Sequence, residues 1–356
     1  MPRCIAVYIS GHGYGHLAQI APVLNQLPRL CPDVTLLLRT ALPTELLSRR
    51  IHVPFTLLAG AVDVGVVQKD AISEDIPATI VAAHAFYDAF TDQIEHEVER
   101  LSPYNPIAIF SDIAPVAFPA AKQLGIPSFA IASLDWHDIY RDFLPADDPL
   151  LSTLQQAHTD CDLLIQPPLS MPMNTFPNRR QVAVIVDPLP ATVPVKATSA
   201  SEEKTALIMF GGAGDPPFDI NALGNIPDWR FLTLSPVHHS APANIRQASL
   251  KNGTAAVMQD CDIVITKPGY GTLAECWQTG TPLVYLPRKF FSEYPYLDAW
   301  LQEFAPSARL SVEDFVSGNW LPAMQQALDC PRTYPHIPAS GAEQAAALIA
   351  QALPRP

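Results

Sequence analysis

The stretch Asp262–Pro287, DIVITKPGYGTLAECWQTGTPLVYLP, decides how this chain folds. Its branched apolar run Ile263–Thr266 has the length of a buried strand, and it stops at Lys267-Pro268-Gly269. A helix-length segment follows, Gly280-Thr281-Pro282 punctuates it, and a second apolar run covers Leu283–Leu286. Strand, helix and strand in that order make a βαβ unit of a parallel sheet. The turn also has chemistry. Gly269, Tyr270 and Gly271 offer main-chain N–H groups at a helix start, Lys267 and Thr272 add a cation and a hydroxyl, and Glu275 sits about one turn inside the helix. Such a set suits a nucleoside diphosphate, with the amides and lysine on the phosphates and the carboxylate on the ribose hydroxyls. The plainer alternative is a glycine that ends the strand and a solvated first-turn acid.

The same alternation runs outward in both directions. Downstream of residue 204, strands are expected near 206–210, 231–234, 263–266 and 283–286, with helices near 272–279 and 294–304. Upstream, strands are expected near 5–9, 34–38, 107–110, 128–131, 163–165 and 182–186, with helices near 16–27, 75–101 and 115–124. Between the halves, PLPATVPVKATSASEEK (188–204) has the Pro, Ala, Thr and Ser content of an interdomain linker. The expected organisation is an α/β chain of two doubly wound parallel sheets: domain 1–190, linker 191–204, domain 205–340, and a closing helix 341–356 that could pack on either.

The first strand ends in Ser10-Gly11-His12-Gly13-Tyr14-Gly15-His16. Gly13 and Gly15 let the backbone turn and approach a ligand at a helix start, in the place where open α/β sheets bind ligands. An imidazole there can take a hydroxyl proton; His16 is the first candidate and His12 the reserve, the alternative being a histidine that only braces the loop. Asp112 follows the strand near 107–110 and could orient that imidazole, or simply cap the next helix. In the second half, Gly211 and Gly212 of FGGAGD follow a strand, as a diphosphate contact or a plain tight turn.

Composition narrows the function classes. With 35 acidic against 22 basic residues and a net charge of -13, attraction to nucleic acid or an anionic membrane is not expected. No apolar run approaches the length of a membrane span, and MPRCIAVYIS leads straight into the glycine loop as a first strand would, so a cytoplasmic protein is expected. The six cysteines show no paired spacing that would indicate a zinc or redox site, and no metal-ligand set is expected.

These segments resemble a known family. DIVITKPGYGTLAECWQTGTPLVYLP is similar to the donor-binding signature of GT-B glycosyltransferases, among them the UDP-glycosyltransferases and the peptidoglycan N-acetylglucosaminyl transferase. The Gly15-His16 pair resembles their first-loop Gly-His, and Asp112 matches the partner of that histidine. SGHGYGH (10–16), SDIAPVAFPAAKQLGIPSFAIASLDWHDIY (111–140), MFGGAG (209–214), KPGYGTLAE (267–275) and LPRKFFSEYPYL (286–297) are similar to the glycosyltransferase-like amino-terminal domain of L-arabinokinases. No Gly/Ser-rich phosphate loop of the galactokinase type accompanies them, so no kinase activity is implied.

The resemblance implies two Rossmann-like domains facing across a cleft. It implies an inverting, metal-independent transfer with His16 as base, Asp112 as its partner, and no cofactor beyond a nucleotide-sugar donor, UDP-linked in most of the family. Lys267, Thr272 and the glycine turns would hold the diphosphate and Glu275 the ribose. The family's acidic residue for the donor sugar comes soon after the final proline of the signature; here Glu293 stands one or two positions late, and Arg288 could add charge at the diphosphate or be a solvated surface residue. Trp136, His137 and Asp138 would line the acceptor side, Trp136 alternatively being core. Two other readings share the fold: a nucleotide-sugar-binding regulatory module without turnover, and a nucleotide-sugar epimerase or hydrolase.

Overall fold

The computed structural model describes residues 3–189, 203–210, 217–251, 253–336 and 338–354. The chain divides into two compact units, one formed by Met1–Val67, Asp75–Val186 and Ile337–Pro356, the other by Gln68–Glu74 and Asp187–His336. Of the expected linker, only Glu203 and Lys204 fall among the described residues.

The first unit holds seven strands: β1 (Arg3–Tyr8), β2 (Val34–Thr40), β3 (Phe55–Ala59), β4 (Ala108–Ser111), β5 (Ser128–Ile131), β6 (Leu163–Gln166) and β7 (Arg179–Gln181). Their order is β3-β2-β1-β4-β5-β6-β7 and every pairing is parallel. The central strands β4 and β5 are buried along their whole length, as an apolar strand covered on both faces must be. At the edge, β7 is the exposed, charged RRQ, a composition that discourages pairing with another chain.

The second unit repeats the plan with β8 (Lys204–Met209), β9 (Trp229–Thr233), β10 (Ile245–Gln247), β11 (Ile263–Thr266), β12 (Leu283–Tyr285) and β13 (Ser307–Arg309), in the order β10-β9-β8-β11-β12-β13, all parallel. In each sheet the first strand lies centrally and the winding reverses beside it, between β1 and β4 and between β8 and β11. The loops outside the carboxyl ends of those strands are where doubly wound sheets bind ligands.

Helix Tyr14–Leu30 leaves β1 and lays Leu17, Ile20, Ala21, Leu24 and Leu27 on the first core, the i, i+3, i+4, i+7 stripe of a half-buried helix. The closing helix Gly341–Ala352 packs into that same core through Ala342, Ala345, Ala346 and Ile349. It therefore belongs to the first unit. Each fully buried Leu or Ile in this layer contributes about 1.5–3 kcal/mol. The second unit is centred on Phe231, Phe315 and Trp320, with the last two rings stacked at 5.5 Å.

Three expectations need correction. No strand covers 182–186; pairing ends at β7, and Val184, Ile185 and Val186 instead bury themselves, with the Val184 carbonyl accepting from Gly341 N–H. The helix expected over 75–101 is two, Ile76–Tyr87 and Phe90–Leu101, separated at Asp88 and Ala89. Strands β3, β7, β10 and β13 were not anticipated. Among the described residues, no helix is long and apolar enough to cross a membrane.

Candidate active site

The loop between β1 and helix Tyr14–Leu30 sits at the first reversal point. Gly13, its last residue before the helix, has φ 133, which favours glycine over any side chain. Across the sheet, β4 ends at Ser111 and delivers Asp112, which has no exposed surface. Its two oxygens accept the Ser10 N–H at 3.2 and 3.1 Å, and one also accepts Ile113 N–H at 2.5 Å. His16 Nδ1 lies 3.1 Å from Asp112 Oδ2. The structure thus brings together the two residues that sequence singled out for this loop. Helix capping is not what Asp112 does: the next helix starts at Ala117, five residues on, and Ser111 Oγ accepts the Ala114 N–H in between.

A carboxylate only accepts hydrogen bonds, so His16 Nδ1 carries a proton. When the ring is neutral its lone pair is on Nε2, the tautomer a general base needs. The ring is largely buried, with 15% of the side chain exposed, and stands 6.0 Å from Trp136. Trp136 is itself 2% exposed and stacks on Tyr140, so it is core beneath the histidines.

One residue here went unnoticed in the sequence. Asp63 is fully buried; its carboxylate accepts from Ser10 Oγ at 3.1 Å and from Trp136 Nε1 at 2.8 Å, and its main-chain oxygen lies 3.0 Å from His12 Nε2. Burial pushes the Asp63 carboxyl up from the usual carboxylate range, with neighbouring Asp112 adding to the effect and His12 and His16 opposing it. The only local signal was an acid inside the apolar run AGAVDVGVV (59–67).

In the second unit, β11 ends at Thr266 and helix Tyr270–Thr279 begins one residue after Gly269, so the expected turn and helix start are present, two residues earlier than the sequence indicated. Glu275 is nearly buried, and Thr254 Oγ1 lies 2.8 and 2.7 Å from its two oxygens. Tyr270 is buried, whereas Thr272 is half-buried on the same first turn. Lys267 Nζ donates to the Ala71 carbonyl at 2.8 Å and to Gln68 Oε1 at 3.3 Å. Burial, reinforced by Arg288, lowers its ammonium to about 8.

Arg288 pairs with Glu74 at 2.8 Å and lies over the Phe291 ring, and Glu293, which is buried, acts electrostatically on the same guanidinium. Gly211 and Gly212 lie outside the described residues.

The expectation that no metal-ligand set would be found needs amendment. Asp135, His137 and Asp138 bring ligand-type atoms within 4.8 Å of one another. They are accounted for as a helix start: Asp135 accepts Asp138 N–H at 2.8 Å, and Asp138 pairs with His137 and Arg141. Two Asp-Cys-Asp runs, 160–162 and 260–262, are also present. Asp162 accepts Ser128 N–H and Asp262 accepts Thr205 N–H, ties between adjoining strands.

No protein-family model matches the chain. Over 342 residues, 92% of this chain, it is 25% identical to L-arabinokinase of Arabidopsis thaliana, and the matched part is 32% of that longer protein. Among solved structures, the glycotransferase of kitacinnamycin superposes with a TM-score of 0.65 at 17% identity, covering 99% of this chain and 100% of that one. The calicheamicin glycosyltransferase gives 0.62 at 14% identity, covering 98% and 95%. The fold is that of the GT-B glycosyltransferases. A third GT-B structure, a UDP-glucose:anthocyanidin 3-O-glucosyltransferase in complex with UDP, gives 0.61 at 11% identity, covering 99% and 94%. At such identities the likeness is one of architecture.

Proposed function

We propose that this chain is an inverting glycosyltransferase that needs no metal ion. His16 Nε2 takes the proton of an acceptor hydroxyl as that oxygen attacks the anomeric carbon of a nucleotide sugar. The new carbon–oxygen bond forms as the bond to the diphosphate breaks, and the nucleoside diphosphate leaves. Asp112 fixes the tautomer and stabilises the imidazolium. The observation that carries this reading is the 3.1 Å contact between His16 and a fully buried Asp112 at the reversal point of the sheet.

The donor, UDP-linked in this reading, would be taken by the domain spanning 205–340. Lys267, Thr272, the amides of Gly269, Tyr270 and Gly271, and the 211–212 glycines meet the diphosphate, where preorganised donors stabilise the leaving charge. Glu275, already held by Thr254, meets the ribose. Glu293 serves the donor sugar side, and Arg288 adds charge at the diphosphate. The acceptor belongs to the 1–190 domain.

The test is a panel of nucleotide sugars screened by thermal shift, then assayed for nucleoside diphosphate release with and without a mixed acceptor pool. Wild type should release product only with acceptor; His16→Ala should bind donor but lose release, and Glu275→Ala should lose the donor shift. Donor binding with no release by wild type would instead identify a binding module, and turnover without acceptor an epimerase or hydrolase.

A further inference from the structure

Ser10 is where two buried acids meet. Its main-chain N–H is held by Asp112 and its hydroxyl by Asp63, so the first residue of the histidine loop is gripped by both carboxylates. We propose that Asp63 is a positioning residue for the base, acting through Ser10 and His12 on the loop that carries His16. This inference rests on the reading of His16 as the base.

The geometry makes the role specific. Asp63 lies in the loop after β3, and the segment 63–65 wraps the His12 ring. The Asp63 carbonyl is 3.0 Å from His12 Nε2, a carboxylate oxygen is 3.6 Å from the same nitrogen, and a Cβ on Gly65 would lie 2.5 Å from His12 Cγ. A carbonyl oxygen only accepts, so His12 Nε2 carries the proton and the neutral ring has its lone pair on Nδ1, the opposite tautomer to His16. The His16 tautomer is thus set by the Asp112 carboxylate and that of His12 by the Asp63 main-chain carbonyl.

The groups facing Asp63 are His12 and His16 from the loop after β1, Asp112 from the end of β4, the Trp136 indole and Tyr140 from helix Trp136–Tyr140, and Tyr87 from helix Ile76–Tyr87. Apart from the two imidazoles, none of these can become a cation. A negative charge on Asp63 favours the imidazolium that His16 becomes when it takes the acceptor's proton.

The decisive measurement is the titration of the His16 ring followed by NMR in wild type and Asp63→Asn, since it reads the base whether or not turnover is found. The midpoint should fall by about half a pH unit or more in Asp63→Asn. In the acceptor-dependent assay kcat should fall about 10–100-fold with donor KM within about twofold, and the acid limb of the rate profile should move to lower pH. In a His16→Ala background, Asp63→Asn should cost nothing further. Ser10→Ala, which removes the hydroxyl link and keeps both acids, should shift the titration in the same direction and serves if Asp63→Asn does not fold. An unchanged His16 midpoint in both variants would overturn the proposal. A shifted midpoint in a wild type that transfers no sugar would leave Asp63 as positioner and remove the transferase reading alone.

Discussion

Asp112 has no exposed surface, and a charge in such a place is tolerated only when its oxygens are answered by donors. Here the answers are two main-chain N–H groups and the His16 ring. Asparagine would keep the size but turn an NH2 group toward one of those donors, and His16 would lose the acceptor that fixes its tautomer. Asp112→Asn is expected to lower kcat by about 10²–10⁴-fold with donor KM little changed, read by steady-state release of nucleoside diphosphate. It should also cost about 1–3 kcal/mol of stability in urea unfolding, because a buried donor is left unmet.

His16 and Asp112 were legible in sequence because each follows an apolar strand, so strand order alone brings them near each other. Asp63 was not: it follows a strand that was not recognised, and its partners Ser10, His12 and Trp136 are distant along the chain. Lys267 was legible as a cation beside a glycine turn. That its ammonium is occupied by Gln68 and Ala71 was invisible, since nothing local in either segment points to the other.

At the scale of elements, the long apolar runs identified themselves, and the shortest strands did not. β10 is IRQ and β13 is SAR, three-residue edge strands with polar residues that only pairing to β9 and β12 reveals. The closing helix was expected from sequence, while its docking site depended on a contact that sequence does not carry. That contact is close: a Cβ on Gly341 would lie 2.0 Å from the Ala183 carbonyl oxygen and 2.7 Å from that of Val184. Because the obstacle is backbone, the helix itself would have to move. Gly341→Ala is expected to destabilise the first unit by about 1–3 kcal/mol, seen as a lower midpoint in thermal unfolding, and Gly224→Ala, which meets the Pro242 ring instead, should disturb only the second.

At the scale of the whole molecule, the chain passes between its two units more than once, because Gln68–Glu74 clusters with the second unit while its flanks belong to the first. Those seven residues bring Glu74 to Arg288, with only 5% and 8% of the side chains exposed. Removing one partner of such a pair strands the other charge. Glu74→Gln should lower the stability of the second unit by about 3 kcal/mol in urea unfolding, and Glu74→Gln with Arg288→Met should recover most of the loss.

The same short excursion limits how this protein can be recombined. A second half exchanged between relatives by a single cut near residue 190 would inherit Lys267 and Arg288 but leave behind the Gln68, Ala71 and Glu74 that they hold. The inheritable module is thus discontinuous: a graft that is meant to carry the second unit intact from one parent to another has to move two pieces of gene, seven codons from the front along with the whole of the back.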